Sequence, residues 1–169
     1  VEQGVASIAS QLGGIDILIN NAGVGDFGSF EDMPVETWEK VMKVNLFGVY
    51  YVAKATLPYL KQNKEGDIVN VASTAGLKGG PNMSAYGASK AAVISLSQSL
   101  MAELRKFNIR VITLTPSTIA TDMSIEGKLT DGNPEKVLQP EDFAEWVRDI
   151  LKMNRRAMIA SASIFSTNP

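Results

Sequence analysis

Three short runs set the tightest limit on the fold: IDILI (Ile15–Ile19), DIVNVAS (Asp67–Ser73) and IRVITLT (Ile109–Thr115). Each is rich in β-branched residues, which favour extended chain. None alternates cleanly between apolar and polar positions. A strand with one wet face would alternate; a strand buried on both faces does not. A fourth run, AMIASASIF (Ala157–Phe165), reads as a further strand. Helical patterns separate the runs, at about Pro34 to Leu60, Ser84 to Phe107 and about Glu141 to Met153. Pro34 suits a first helical turn. Ser84 can cap the second helix and Asn108 can end it. The first helix is expected to break near Asn45. This alternation predicts an α/β, doubly wound parallel sheet with helices on both faces. Residues 1–169 read as a single domain, without repeats, low-complexity tracts or linkers.

The chain opens with Val1 rather than Met, inside a helical pattern of Val1, Val5, Ile8 and Leu12. It is therefore expected to be the later part of a longer protein. Two residue types are absent. Without cysteine there is no disulfide, thiolate nucleophile or Cys-ligated metal, which fits a cytoplasmic protein. Without histidine there is no Ser-His-Asp relay and no ordinary zinc site, and no metal is expected. A proton donor must come from Tyr, Lys, Asp or Glu. The net charge of -2 and the lack of basic runs argue against nucleic acid and membrane surfaces. No apolar run approaches the ~20 residues of a spanning helix.

Ligands of open parallel sheets bind at the carboxyl ends of the strands. After the first run comes NNAG (Asn20–Gly23), the second ends in Ser73 and runs into TAG, and PSTIATDM (Pro116–Met123) follows the third. The Ser84 helix should start at the same edge, so Tyr86 and Lys90 converge there. Spaced four apart, they share a helix face. An ammonium ~4 Å from a phenol, at an effective dielectric of ~20, favours the phenolate by roughly 4 kcal/mol. The spacing thus predicts a phenol pulled down toward neutrality, with the Ser73 hydroxyl free to bond a substrate carbonyl. Separately, each feature has an ordinary structural explanation: a chance helical pair, a loop cap, an Asx turn. Their ordered arrival at one sheet edge favours chemistry.

NNAG, VNVAS and YGASK together resemble the short-chain dehydrogenases/reductases, from about Val1 to Val147. Ser73 precedes Tyr86 by 13 residues and Asn45 precedes it by 41, as the family pattern expects. The resemblance implies a Rossmann-like sheet, here lacking its first strands, and an NAD(P)-dependent oxidoreductase acting on a carbonyl or alcohol. It implies that Tyr86 is the general acid in reduction, that Lys90 lowers its pKa and binds the nicotinamide ribose, and that Ser73 orients the carbonyl. Asn45 would hold a water linking Lys90 to solvent. Asn20, Ala22 and Gly23 would line the adenosine side of the cofactor, and Pro116, Ile119 and Thr121 the nicotinamide side. The family usually carries Pro-Gly where this chain has Pro116-Ser117. Its glycine-rich phosphate turn, and the residue that separates NAD from NADP, are not in this chain.

The nearest subgroup by resemblance is the 3-oxoacyl-(acyl-carrier-protein) reductases, which points to NADP, a 3-oxoacyl thioester and an acyl-carrier-protein partner. A small alcohol, sugar or steroid-like ketone is the competing substrate class, and a truncated or non-catalytic binding or assembly module the competing function. Arg105, Lys106 and Arg110 form either a basic dock for an acidic carrier or, more simply, cations complementing a helix end. The segment Ser124–Val137 reads as a loop or small lid of mixed charge. Ala88, Ala91, Ala92, Ser95 and Ser99 keep the second helix thin. With the helix from Pro34, it would form a homodimer or homotetramer interface by resemblance.

Overall fold

The computed structural model describes residues 1–167. Four parallel strands stand in the order β1 (Ile17–Asn20), β2 (Gly66–Val71), β3 (Ile109–Pro116) and β4 (Ser161–Ile164). In register, Asn20 lies beside Asn70, and Val71 beside Leu114. The strand ends that carry the candidate residues are therefore level. Helices cover both faces, as the missing alternation requires. On one face, Ile68, Ile109 and Val111 pack with Leu60 of α3 (Gly48–Gln62) and Leu104 of α4 (Ser84–Leu104). On the other, Val69, Ile112 and Leu114 pack with Val147 and Ile150 of α6 (Pro140–Lys152). Ile68 and Val69 are neighbours in sequence and both are buried. The parallel α/β sheet is the expected one.

The remaining elements follow local chemistry. Helix α1 (Glu2–Leu12) ends at Gly13, whose φ of 77° suits glycine. The long helical pattern from Pro34 divides into α2 (Val35–Met42) and α3, joined by a π-helical turn at Lys43–Phe47. Asn45 sits in that turn, where the break was expected, and is 1% exposed. Asn108 ends the second long helix in the left-handed region, φ 57°. Ser84 does not cap that helix: it lies inside the first turn, Met83 holds the capping position, and the buried Ser84 hydroxyl has no partner among the described residues. Asn82, at φ 60°, turns the chain into the helix one step earlier than the serine pattern implied. A short helix, α5 (Asp122–Glu126), begins ahead of the lid segment and runs into its first residues. Strand β4 is shorter than the apolar run suggested, because only Ser161–Ile164 reach the register of β3.

A buried ion cluster closes the opposite end of the sheet. Asp67 on β2 and Arg110 on β3 are each 5% exposed. The Arg110 guanidinium donates to both Asp67 carboxylate oxygens, at 2.6 and 3.0 Å, and to the Leu151 and Met153 carbonyls. Arg155 adds a second guanidinium, 3.1 Å from Asp67 and 3.1 Å from Glu65. This removes Arg110 from any exposed basic dock. The helix-end cations are Arg105 and Lys106 alone. Arg110 instead ties the end of α6, and thus the approach to β4, to the central strands.

Arg110→Ala is predicted to lower stability by roughly 3 kcal/mol, because it strips a buried carboxylate of its bidentate partner. Replacing both partners, Asp67→Leu with Arg110→Met, should recover most of that loss. Urea unfolding of the three proteins checks it; equal stabilities for the single and double variants would contradict it.

Candidate active site

A cleft of about 710 Å³ opens at the carboxyl ends of β1, β2 and β3. Ser73, Tyr86 and Lys90 all line it. Ser73 follows β2 and heads a tight turn, Thr74–Gly76, its hydroxyl accepting the Ala75 amide at 3.1 Å. Tyr86 stands in the first turn of α4 and Lys90 one turn further on. The turn after β2 lies directly against these first turns, with Gly76 and Gly87 at the points of closest approach.

Lys90 is 4% exposed, and its ammonium donates to the Val71 carbonyl at 2.9 Å, 5.6 Å from the centre of the Tyr86 ring. Burial pulls Lys90 down to about 8. Burial also pushes the Tyr86 phenol above its ordinary value, with the neighbouring Ser73 hydroxyl acting the other way. This corrects the expectation of a phenol depressed by its lysine. The ammonium is directed at Val71 rather than at the hydroxyl, so loss of hydration outweighs attraction.

Asn45 reaches the site from the π-helical turn. Its amide pairs with both backbone groups of Val24, accepting from N–H at 2.8 Å and donating to C=O at 2.9 Å, and also donates to Ser89 at 3.0 Å. It thereby fixes the loop that follows β1. A side chain on Gly23 would begin 3.3 Å from Asn45 Oδ1 and 3.4 Å from Lys90 Nζ, so the three residues nest closely. Ala22, Gly23, Pro116, Ile119 and Thr121 line the cleft, as do Ser117 and Thr118. Asn20 is placed differently. Its side chain turns into the sheet and donates to Asn70 at 2.8 Å, while Asn21 takes the position facing the cleft. Asn70 in turn donates to Ser97 of α4 at 2.8 Å, so the sheet and helix share a buried polar chain.

Two contributors escape sequence reasoning. Gly76 gives no periodic signal, and only its neighbours in space define it. Phe27 comes from the loop between β1 and α2, and its ring meets Tyr86 edge-on at 5.6 Å. Its distance from Tyr86 along the chain hid that contact. Among the described residues, no group of three or more His, Cys, Asp or Glu could hold a metal ion, and no helix is long and apolar enough to cross a membrane.

Residues 1–131 match the family model described as short chain dehydrogenase. The chain is 36% identical to the inactive 2-(S)-hydroxypropyl-CoM dehydrogenase 2 of Xanthobacter autotrophicus, over 97% of this chain and 76% of that protein. It is 38% identical to the 3-oxoacyl-acyl-carrier-protein reductase FabG of Thermotoga maritima, over 80% of this chain and 53% of that one. Its fold superposes on an alcohol dehydrogenase from Thermococcus sibiricus complexed with 5-hydroxy-NADP, with TM-score 0.89 and 26% identity, over 99% of this chain and 70% of the other. The chain thus spans from about half to three quarters of the length of these proteins.

The buried lysine predicts a pH effect. Its folded value, about 8, lies below the ordinary 10.5, so the unfolded chain holds the proton over that interval. Stability should rise with pH from about 8 to about 10.5, and the penalty should be full below 8. Relative to Lys90→Met, the wild type is expected to gain up to ~3 kcal/mol across that window. Urea melts of both proteins over the same pH series measure it; parallel curves would contradict a buried, titrating Lys90.

Proposed function

The chain belongs to the short-chain dehydrogenase family, and on that premise we propose that the protein is an NAD(P)-dependent oxidoreductase that interconverts a carbonyl and an alcohol in the cleft at Tyr86. The observation that carries this reading is the meeting of Ser73, Tyr86 and the buried ammonium of Lys90 at the strand ends. NADP, with NAD as the alternative, is the proposed cofactor, supported by the superposition on a dehydrogenase complexed with 5-hydroxy-NADP, and a 3-oxoacyl thioester is the proposed substrate, supported by the likeness to the Thermotoga maritima reductase. A small alcohol, sugar or steroid-like ketone is the competing substrate class. Residues 1–169 are proposed to be the later part of one Rossmann-like domain. Strand β1 is consistent with this, since among the described residues its outer edge is unpaired and Ile17 and Ile19 remain 47% and 46% exposed.

The residues present suit a nicotinamide dinucleotide. Among the described residues, Lys90 has Val71 O as its hydrogen-bond acceptor, and an ammonium carries three donors. Two remain for a ribose diol. Ala22 and Gly23 offer backbone with little side chain, where an adenosine could approach, and Pro116, Ile119 and Thr121 flank the nicotinamide position. When bound, the cofactor supplies or accepts the hydride. Tyr86 then has the proton work. Its raised pKa keeps the phenol protonated at neutral pH, as a donor to a carbonyl oxygen requires. Ser73 holds that oxygen, and its hydrogen bond strengthens as charge develops there. The Lys90 charge favours the phenolate left behind, and Asn45 is proposed to hold a water that returns the proton to it.

The protein is further proposed to self-associate as a homodimer or homotetramer. Phe47, Tyr50 and Tyr51 are exposed beside one another around the start of α3. Ala88, Ala91, Ser95 and Ser99 form an exposed thin stripe on α4. A cytoplasmic location is proposed from the cysteine-free composition, and an acyl-carrier protein is the proposed macromolecular partner. The second reading, a non-catalytic binding module, draws on the likeness to a relative that is itself named inactive.

In the complete protein, Tyr86→Phe is expected to lower ketone turnover at least about a hundredfold, the range of general acid catalysis, while NADPH affinity stays within about threefold. Stopped-flow turnover and a fluorescence titration of NADPH test it. Retention of more than about a tenth of the turnover would remove Tyr86 from the proton role.

A further inference from the structure

Phe27 is half-buried, and one edge of its ring lies against two glycines. A Cβ on Gly25 would stand 2.7 Å from the ring's Cζ and 3.0 Å from the Met123 sulfur; one on Gly127 would stand 2.8 Å from its Cδ2. The ring thus occupies a slot cut by two glycines, one in its own loop and one just past α5. Its loop is pinned on both sides of it, at Val24 by Asn45 and at Gly28, whose amide donates to Asn82 O at 3.1 Å. The exposed Phe30, three residues later and 80% accessible, has no such seat. The free edge of the Phe27 ring faces the cleft and meets Tyr86 at an interplanar angle of 62°.

We propose that Phe27 is the specificity-determining residue of this site: its clamped ring limits the bulk of the substituent on the carbon next to the reacting carbonyl. This rests on the reading of Tyr86 as the group that bonds the carbonyl oxygen. A carbonyl held there sends one substituent past the ring beside Tyr86. An unbranched methylene chain is thin enough to pass along the ring and continue toward Met83 and Leu129, which also line the cleft. A branched carbon must displace the ring, and the backbone at Gly25 and Gly127 blocks its retreat toward them. Protein packing resists such movement strongly. Substrates of the proposed class are therefore ketones with an unbranched, apolar carbon on the Phe27 side.

Two isomeric probes separate shape from hydrophobicity: n-butyl methyl ketone and tert-butyl methyl ketone. The experiment measures kcat/KM for both, with the wild type, Phe27→Leu and Phe27→Ala, alongside the NADPH dissociation constant. The wild type should favour the unbranched isomer. Phe27→Ala should move the ratio toward the branched one by about tenfold or more, the usual worth of methylene-sized space in a pocket, with Phe27→Leu between. NADPH affinity should not change. Equal loss on both isomers, or an unchanged ratio in a folded Phe27→Leu variant, would overturn the proposal. The same ratio is also read from ketone binding by saturation-transfer NMR, which needs no turnover. A shifted binding ratio with no reduction of either ketone by the wild type would sink the oxidoreductase reading and keep the Phe27 wall. An unshifted ratio with normal reduction would do the reverse.

Discussion

Gly76 has no room for a side chain. A Cβ there would lie 2.7 Å from the Lys90 carbonyl carbon and 2.8 Å from the Ala91 nitrogen, both backbone atoms of α4. Gly87 reciprocates from the helix, where a Cβ would come within 3.1 Å of the Ala75 carbonyl oxygen. These two absent side chains let the turn after β2 lie on the first turns of α4. Ser73 heads that turn, and Tyr86 and Lys90 stand on that helix. The remaining structure supports this contact. The register of β2 and β3 sets the height of the turn, the Asn70–Ser97 bond holds α4 to the sheet, and the Asp67–Arg110 pair fixes the far end.

The site holds its two titratable groups against their preferred hydration. Lys90 is drawn down to about 8, and the Tyr86 phenol is pushed up. Among the described residues, the buried Lys90 ammonium has the Val71 carbonyl as its hydrogen-bond acceptor, and in the proposed reading its other donors serve a polyhydroxyl partner. A protonated phenol beside it is a competent donor, and the nearby charge favours its conjugate base once the proton has left. In the proposed reading, the same burial that makes the pair unfavourable for folding serves proton transfer, which is the ordinary relation between stability and active sites.

The sheet was legible because burial on both faces writes itself into adjacent residues: Ile68 and Val69 serve opposite cores, so alternation disappears. Asn45 was legible as a break in a long helical pattern, and the structure makes that break a π-helical turn. Local spacing brought Tyr86 and Lys90 together, but it carried no information on where the ammonium points. Val71 O, 19 residues away, decides that. Ser84 misled because a serine at a helix start resembles a cap, while the backbone at Asn82 begins the helix earlier. Asn20 misled because NNAG reads as one polar cluster, although the last residue of β1 faces the sheet and the next faces the cleft. Arg110 looked like part of a surface charge cluster; its carboxylate partner lies 43 residues away. Gly76 is defined by such long-range contacts, and Phe27 by them together with Gly25 of its own loop.

The central claim is that Tyr86 and its neighbours direct hydride chemistry at a carbonyl. The most direct measurement supplies the protein with NADPH or NADH deuterated at the nicotinamide C4 together with n-butyl methyl ketone, and reads the product by mass spectrometry. The account predicts deuterium on the carbinol carbon of the alcohol with the wild type, and its loss with Tyr86→Phe while cofactor still binds. Cofactor bound to the wild type with no deuterated alcohol formed from this ketone or a 3-oxoacyl thioester would contradict it.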